Sequence, residues 1–164
     1  TEGSTHSDTR YKQYKKESEK LEIITGAYHF FSYSSSGSKQ AKHFLSTAKL
    51  QEGNLLPVLD CEFTRNMPQK ENVTRELLRF IETIETELGV SPIIYCECSY
   101  YNKYLETELN GRCPLWISNF YREPKCNYMF WQKTDGFRHP AFRGTVDYNE
   151  FVGNASALNR YVLK

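Results

Sequence analysis

Asp60 and Glu62 stand two residues apart at the end of the apolar run Leu55-Leu56-Pro57-Val58-Leu59. A short apolar run introduced by the turn signal Gly53-Asn54 predicts a buried strand. Strand side chains alternate between faces, so the two carboxyls project to one side, with Cα atoms about 6.5–7 Å apart. Packing does not call for two acids there. Paired carboxyls at the mouth of a strand suit acid catalysis on an acetal bond, because one can be held protonated while its neighbour stays ionised. On these two residues alone a solvated strand end is the simpler account, so the rest of the chain must decide. Cys61, between them, faces the opposite side, where a covering helix would bury it as a small apolar filler.

The elements around this pair follow from periodicity. Residues 23–31 are β-branched and aromatic and predict a strand. A serine-rich loop ends in a helix N-cap, and over 39–50 Ala41, Phe44, Leu45 and Ala48 share one helical face. The strand over 55–62 follows. Over 71–88, Val73, Leu77, Phe80, Ile81, Ile84 and Leu88 recur at three- and four-residue steps, the pattern of an amphipathic helix, and Gly89 supplies its stop. Short strands are predicted at 93–96, 115–118, 128–132 and 146–147. Helical segments are predicted from Ser99 to about Leu109 and over 154–161. Residues 11–21 predict a charged helix whose basic run, Lys12 to Lys20, is a solvated face.

Alternation of strand and helix argues for a parallel sheet with helices outside. Tyr28, Asp60, Glu62, Tyr95, Trp116, Gln132 and Asp147 recur where strands end, the end that carries the chemistry in a β/α barrel. Tyr28 and Phe30 share a strand face, so at least one is expected in the core. His29 then faces the helices as a hydrogen-bonded structural histidine. Trp131 is assigned to packing and Gln132 to the cleft, while Trp116 serves equally as sugar platform or as filler.

The bulk composition narrows the function. With 21 basic and 20 acidic residues the net charge is +1, which gives no basic field for a nucleic-acid partner. No apolar run approaches the roughly 20 residues of a membrane span. The 164 residues, 39% hydrophobic, predict one globular domain over 1–164. Twelve Tyr and ten Phe suit stacking on sugar faces as well as an aromatic core. The five cysteines Cys61, Cys96, Cys98, Cys113 and Cys126 contain no C-x-x-C pair, and no metal-ligand spacing appears, so neither metal nor organic cofactor is expected. Cys96 and Cys98 would share a strand face, a strained position for a bridge. Most cysteines are expected reduced, with a Cys113–Cys126 bridge left open. The chain as given carries no signal peptide.

Seven segments, in order and spanning essentially the whole chain, resemble glycoside hydrolase family 25, the Chalaropsis-type lysozymes. They are Thr1-Glu2-Gly3, Gly26-Ala27-Tyr28-His29-Phe30, Pro57-Val58-Leu59-Asp60-Cys61-Glu62, Pro92-Ile93-Ile94-Tyr95, Leu115-Trp116-Ile117, Trp131-Gln132-Lys133-Thr134-Asp135, and Gly144-Thr145-Val146-Asp147-Tyr148-Asn149-Glu150-Phe151. The resemblance implies an α/β fold, an irregular (β/α)8-like TIM-type barrel. It also implies cleavage of the β-1,4 bond between N-acetylmuramic acid and N-acetylglucosamine in peptidoglycan glycan strands. Glu62 would be the proton donor, Asp60 the paired carboxylate and Asp147 a further acid in the cleft. Tyr28 with Phe30, Tyr95, Trp116 and Gln132 would line the sugar subsite. Carboxyls that share a strand face suit substrate assistance, in which the 2-acetamido oxygen attacks and Asp60 orients it.

The family pattern begins before Thr1, with a strand ending in Asp and most of a second strand. The expectation is therefore a barrel truncated at its N-terminus, about six of eight strands, whose open edges could drive self-association. The alternatives are a non-catalytic glycan-binding remnant of the same fold and a chitinase-like N-acetylglucosaminidase. Action on a cell wall implies secretion or residence in the cell envelope.

Overall fold

Residues 1–164 are described by a computed structural model. Six strands, β1 (Tyr28–Phe30), β2 (Val58–Asp60), β3 (Ile93–Cys96), β4 (Leu115–Ser118), β5 (Phe130–Phe137) and β6 (Val146–Phe151), form one sheet in sequence order. The first four pairings are parallel and the last, β5 with β6, is antiparallel. The helices are α1 (Tyr11–Lys20), α2 (Gly37–Ala48), α3 (Lys70–Leu88), α4 (Cys98–Tyr104), α5 (Glu106–Leu109) and α6 (Ala155–Leu158), followed by a 3-10 turn over Asn159–Tyr161. β1 and β6 do not meet: the sheet is open and six-stranded, as the expected strand count has it, but the antiparallel pairing of β5 with β6 departs from the expected parallel sheet. The outer edge of β1 is partly occupied by the first residues: Phe30 N–H donates to the Thr1 carbonyl at 2.9 Å and Gly3 N–H to the Phe30 carbonyl at 3.3 Å.

Alternation along the strands divides the two faces. His29, Leu59, Cys61, Ile94, Cys96, Leu115 and Ile117 point toward the helices and are buried. There they meet Val73, Leu77, Phe80, Ile81 and Ile84, the stripe that makes α3 amphipathic, and Ala41, Phe44 and Ala48 of α2. Helices α2 and α3 approach closely at Gly37, where an added Cβ would fall 1.8 Å from the Glu76 carbonyl oxygen. Its backbone N–H instead donates to Glu76 Oε2 at 3.0 Å. Gly89 ends α3 in the left-handed region, φ 69°, as a C-terminal glycine does. The other sheet face is apolar at its base, where Val58, Ile93 and Phe130 pack with Leu56 and Leu163, and polar at the strands' C-terminal ends.

Several expected elements differ in extent. Residues 55–57 are not strand: Leu55 and Leu56 N–H donate instead to Thr25 and Tyr161 carbonyls, and Pro57 has no N–H to offer a ladder. Residues 23–27 likewise lie outside β1. β5 and β6 are longer than expected because they pair as a hairpin with register shifts after Gln132 and Thr134. α1 buries no residue, as expected for a solvated basic face, and Lys15 Nζ reaches back to the carbonyls of Ala48 and Lys49 at the end of α2. Neither Tyr28 nor Phe30 enters the core. No helix or strand packs over their face, so Tyr28 is exposed and Phe30 half-buried.

The cysteines also correct the sequence reading. Cys98, the first residue of α4 and not a strand residue, bonds to Cys126 with a Cα–Cα distance of 5.9 Å, while Cys61, Cys96 and Cys113 are free and buried. The Cys113–Cys126 pairing therefore does not form. The bridge closes a span of 28 residues, and its double replacement, Cys98→Ser with Cys126→Ser, is expected to destabilise the chain by about 2–4 kcal/mol. Urea unfolding under non-reducing conditions, compared with wild type, reads this directly.

Candidate active site

The polar ends of the strands open into a cleft of about 1000 Å³. Tyr28 reaches it from β1, Asp60 from β2, Tyr95 from β3, Trp116 from β4, Gln132 from β5 and Asp147 from β6, with Glu62 just past β2. Four of these seven are placed by register: Asp60 lies beside Tyr95, Tyr95 beside Trp116, and Gln132 beside Asn149 and Ser118. Phe30 alone of the expected subsite residues stays out. It borders an adjoining hollow with Tyr28, Asp60 and the first residues of the chain.

The two carboxyls are in different surroundings. Asp60 is half-buried and its Oδ1 is fully buried without a hydrogen-bond partner. Desolvation, with the neighbouring Glu62 charge second, pushes its carboxyl from the ordinary 3.8 to about 7. Glu62 lies beyond the last strand residue and its side chain is exposed. Its backbone is fixed, because Tyr33 donates its phenol proton to the Glu62 carbonyl at 2.7 Å, and the Tyr33 and Tyr100 hydroxyls stand 2.6 Å apart. Of the two carboxyls it is Asp60 that bears the desolvation penalty.

The aromatic walls are held by hydrogen bonds. Tyr95 donates to Gln132 Oε1, and burial pushes its phenol up to about 12. Trp116 donates from Nε1 to Asn149 Oδ1 at 2.8 Å, and its ring stacks on Phe130 with centroids 5.1 Å apart. Trp116 thus lines the cleft and packs on Phe130 at once. Trp131 lies on the outer face, under the Lys133 ammonium at 4.4 Å, as its assignment to packing requires. His29 is buried, with Nε2 3.0 Å from Gln40 Oε1 and Nδ1 2.7 Å from Thr1 Oγ1. It is a structural histidine outside the cleft.

Glycosyl hydrolases family 25 has a model that matches residues 1–142. The chain belongs to this family. A family 25 glycosyl hydrolase from Bacillus anthracis has a solved structure that superposes with a TM-score of 0.88 at 31% identity, covering 98% of this chain and 79% of that one. A muramidase from Acremonium alcalophilum superposes at 0.83 with 26% identity, covering 98% and 83%. YegX of Escherichia coli (strain K12) is 31% identical over 166 residues, 99% of this chain. The chain spans 60% of the length of the curated relatives it matches.

The family 25 match stops short of Asp147, so that residue's place in the cleft rests on the pairing of β6 with β5. The same pairing brings in Asn149, which sequence reasoning missed. Its signal was there, since Asn149 alternates with Asp147 and must share its face. Phe63, Glu97, Phe120, Tyr121, Arg122 and Asp135 also line the cleft. Asp135 comes from the stretch of β5 between its register shifts and the others from loops and a helix start, where no periodicity announces a direction.

Asp60 makes stability depend on pH. Its folded pKa lies above its unfolded value, so between about pH 4 and pH 7 the folded chain keeps a proton that the unfolded chain has lost. The resulting stabilisation is complete below pH 4 and is lost as pH rises through 7. Asp60→Asn removes the titration. It is expected to gain on the order of 2 kcal/mol over wild type between pH 5 and pH 8, allowing for solvent at the cleft mouth. Urea midpoints of both proteins at the two pH values test this; parallel pH dependences would refute it.

Proposed function

We propose that this chain is a muramidase that hydrolyses the β-1,4 bond between N-acetylmuramic acid and N-acetylglucosamine in peptidoglycan. The observation that carries the reading is the carboxyl pair Asp60 and Glu62 at one strand end, on the floor of an aromatic-walled cleft in a family 25 fold. A solved relative described as a muramidase supports it.

In this mechanism Glu62, exposed in the cleft, gives its proton to the glycosidic oxygen as the bond to the anomeric carbon breaks. The substrate's own 2-acetamido oxygen forms the new bond to that carbon, closing an oxazolinium ring. Asp60, as its carboxylate, accepts the acetamido N–H where it lines the cleft and stabilises the ring's positive charge. Glu62, now a carboxylate, takes a proton from water as the water opens the ring. Tyr28 and Trp116 offer faces for sugar stacking, and Asp147, Asn149 and Gln132 offer polar groups to its hydroxyls.

Residues 1–164 act as one catalytic unit in this reading. The open sheet is the greater part of a (β/α)8-like barrel, and its free edges at β1 and β6 are where further strands, or a second copy, would pair. Such an enzyme works in the cell envelope or outside the cell, where its substrate is.

The deciding experiment reduces the digestion products of purified peptidoglycan with borohydride and identifies the new sugar alcohol. Muramitol is expected. Glucosaminitol would make the chain a glucosaminidase, and no new alcohol from folded protein would make it a glycan-binding protein.

A further inference from the structure

The cleft is lined by five carboxylates, those of Asp60, Glu62, Glu97, Asp135 and Asp147, and by a single cation, Arg122. In such a setting an arginine would be expected to pair with an acid, yet Arg122 takes part in none of the molecule's ion pairs. Its backbone is nevertheless held firmly. Asn119 Oδ1 accepts the N–H groups of Tyr121 at 3.2 Å and Arg122 at 3.4 Å. Trp131 Nε1 donates to the Asn119 carbonyl at 2.9 Å. At its other end the same loop is bonded to α4 through Cys126 and Cys98, and Cys98 itself borders the cleft. A fixed loop thus brings Arg122, which forms no ion pair, into the lining of an otherwise acidic cleft.

We infer that Arg122 is the recognition point for a carboxylate on the lactyl side of the muramyl residue. This rests on the muramidase reading. A strand of N-acetylglucosamine alone is uncharged and needs no cation. A muramyl residue carries either a free lactyl carboxylate or, through an amide, a stem peptide with carboxylates of its own. Five acids repel such a substrate, and a guanidinium offers it a planar, two-pronged donor that an ammonium does not. Arg122 would therefore set the preference for muramyl strands over uncharged ones and fix which way the strand lies across Asp60 and Glu62.

The test titrates Glu62→Gln protein, which holds substrate without cleaving it, by tryptophan fluorescence. Four ligands are compared: the disaccharide with a free lactyl carboxylate, the disaccharide-peptide, the same peptide with its carboxylates amidated, and an N-acetylglucosamine tetramer. At least one carboxylate-bearing ligand is expected to bind about tenfold more tightly than its uncharged counterpart, and Arg122→Ala in the same background to lose that advantage alone. Arg122→Lys is expected to restore part of it. The ligand whose advantage disappears identifies the carboxylate. An advantage that survives Arg122→Ala, or the lack of any advantage in the parent, overturns the inference. Muramitol release by the unmutated chain is scored separately. Release without carboxylate preference leaves the muramidase standing and removes the role of Arg122. Preference without release leaves Arg122 as the anchor of a binding protein.

Discussion

Glu62→Gln is expected to fold as the wild type does and to lower reducing-end release by about 10²–10⁴-fold, the range that a positioned general acid contributes. The Glu62 side chain is exposed and enters no hydrogen bond or ion pair; only its backbone carbonyl is engaged, by Tyr33. The amide is the same size, so the change leaves packing untouched, removes a transferable proton and takes away the charge beside Asp60. Binding should persist, because Tyr28, Trp116 and the polar groups of β5 and β6 are unaltered. Turnover on peptidoglycan, set beside retention on insoluble glycan, separates the two effects. Turnover near the wild-type rate would move the acid elsewhere in the cleft, with Asp147 the next residue to replace.

The second large effect is on stability. Phe80 is fully buried at the centre of the helix-facing core, with ring centroids 5.0 Å from His29, 6.3 Å from Phe31 and 6.3 Å from Phe44. Its partners come from β1, the segment after it and α2, the β1 partner being the histidine whose burial holds its pKa down at about 4. Truncation removes the one ring that all of them share. The walls are α2 and α3, locked together at Gly37, and cannot collapse inward freely. Phe80→Ala is therefore expected to destabilise by about 3–5 kcal/mol, a large part of the roughly 5–15 kcal/mol that a folded domain has. The urea midpoint measures it. A loss under about 1 kcal/mol would mean that the site repacks.

What could be read from the residues depended on how local its cause is. The α3 helix was legible to within one residue, because six apolar side chains on one stripe admit no other period. The order of strands was legible from alternating elements, and so was their polar end. Strand lengths were not, because Leu55 and Leu56 give their N–H groups to the Thr25 and Tyr161 carbonyls, partners far apart in the chain. The open, six-stranded sheet was legible in the strand count, whereas the antiparallel pairing of β5 with β6 was not, because alternation of strands and helices predicts parallel neighbours. The Cys98–Cys126 bond was invisible because Cys98 reads as an extension of β3 until α4 is seen to begin there. Spacing singled out the carboxyl pair, but only the family resemblance gave it a role. Which member is buried depends on where β2 ends, and that placed the desolvation on Asp60.

The sheet's single antiparallel pairing bears on how the chain folds. β5 and β6 are joined by a hairpin and can zip together locally, whereas each parallel pairing must first close a long connection and bear its entropy. The cleft draws one or more side chains from every strand, so no subset of strands contains it. During refolding from urea, helical circular dichroism should recover first and glycan binding last, in step with the final parallel strand to dock. Binding activity is then a clock for completion of the sheet.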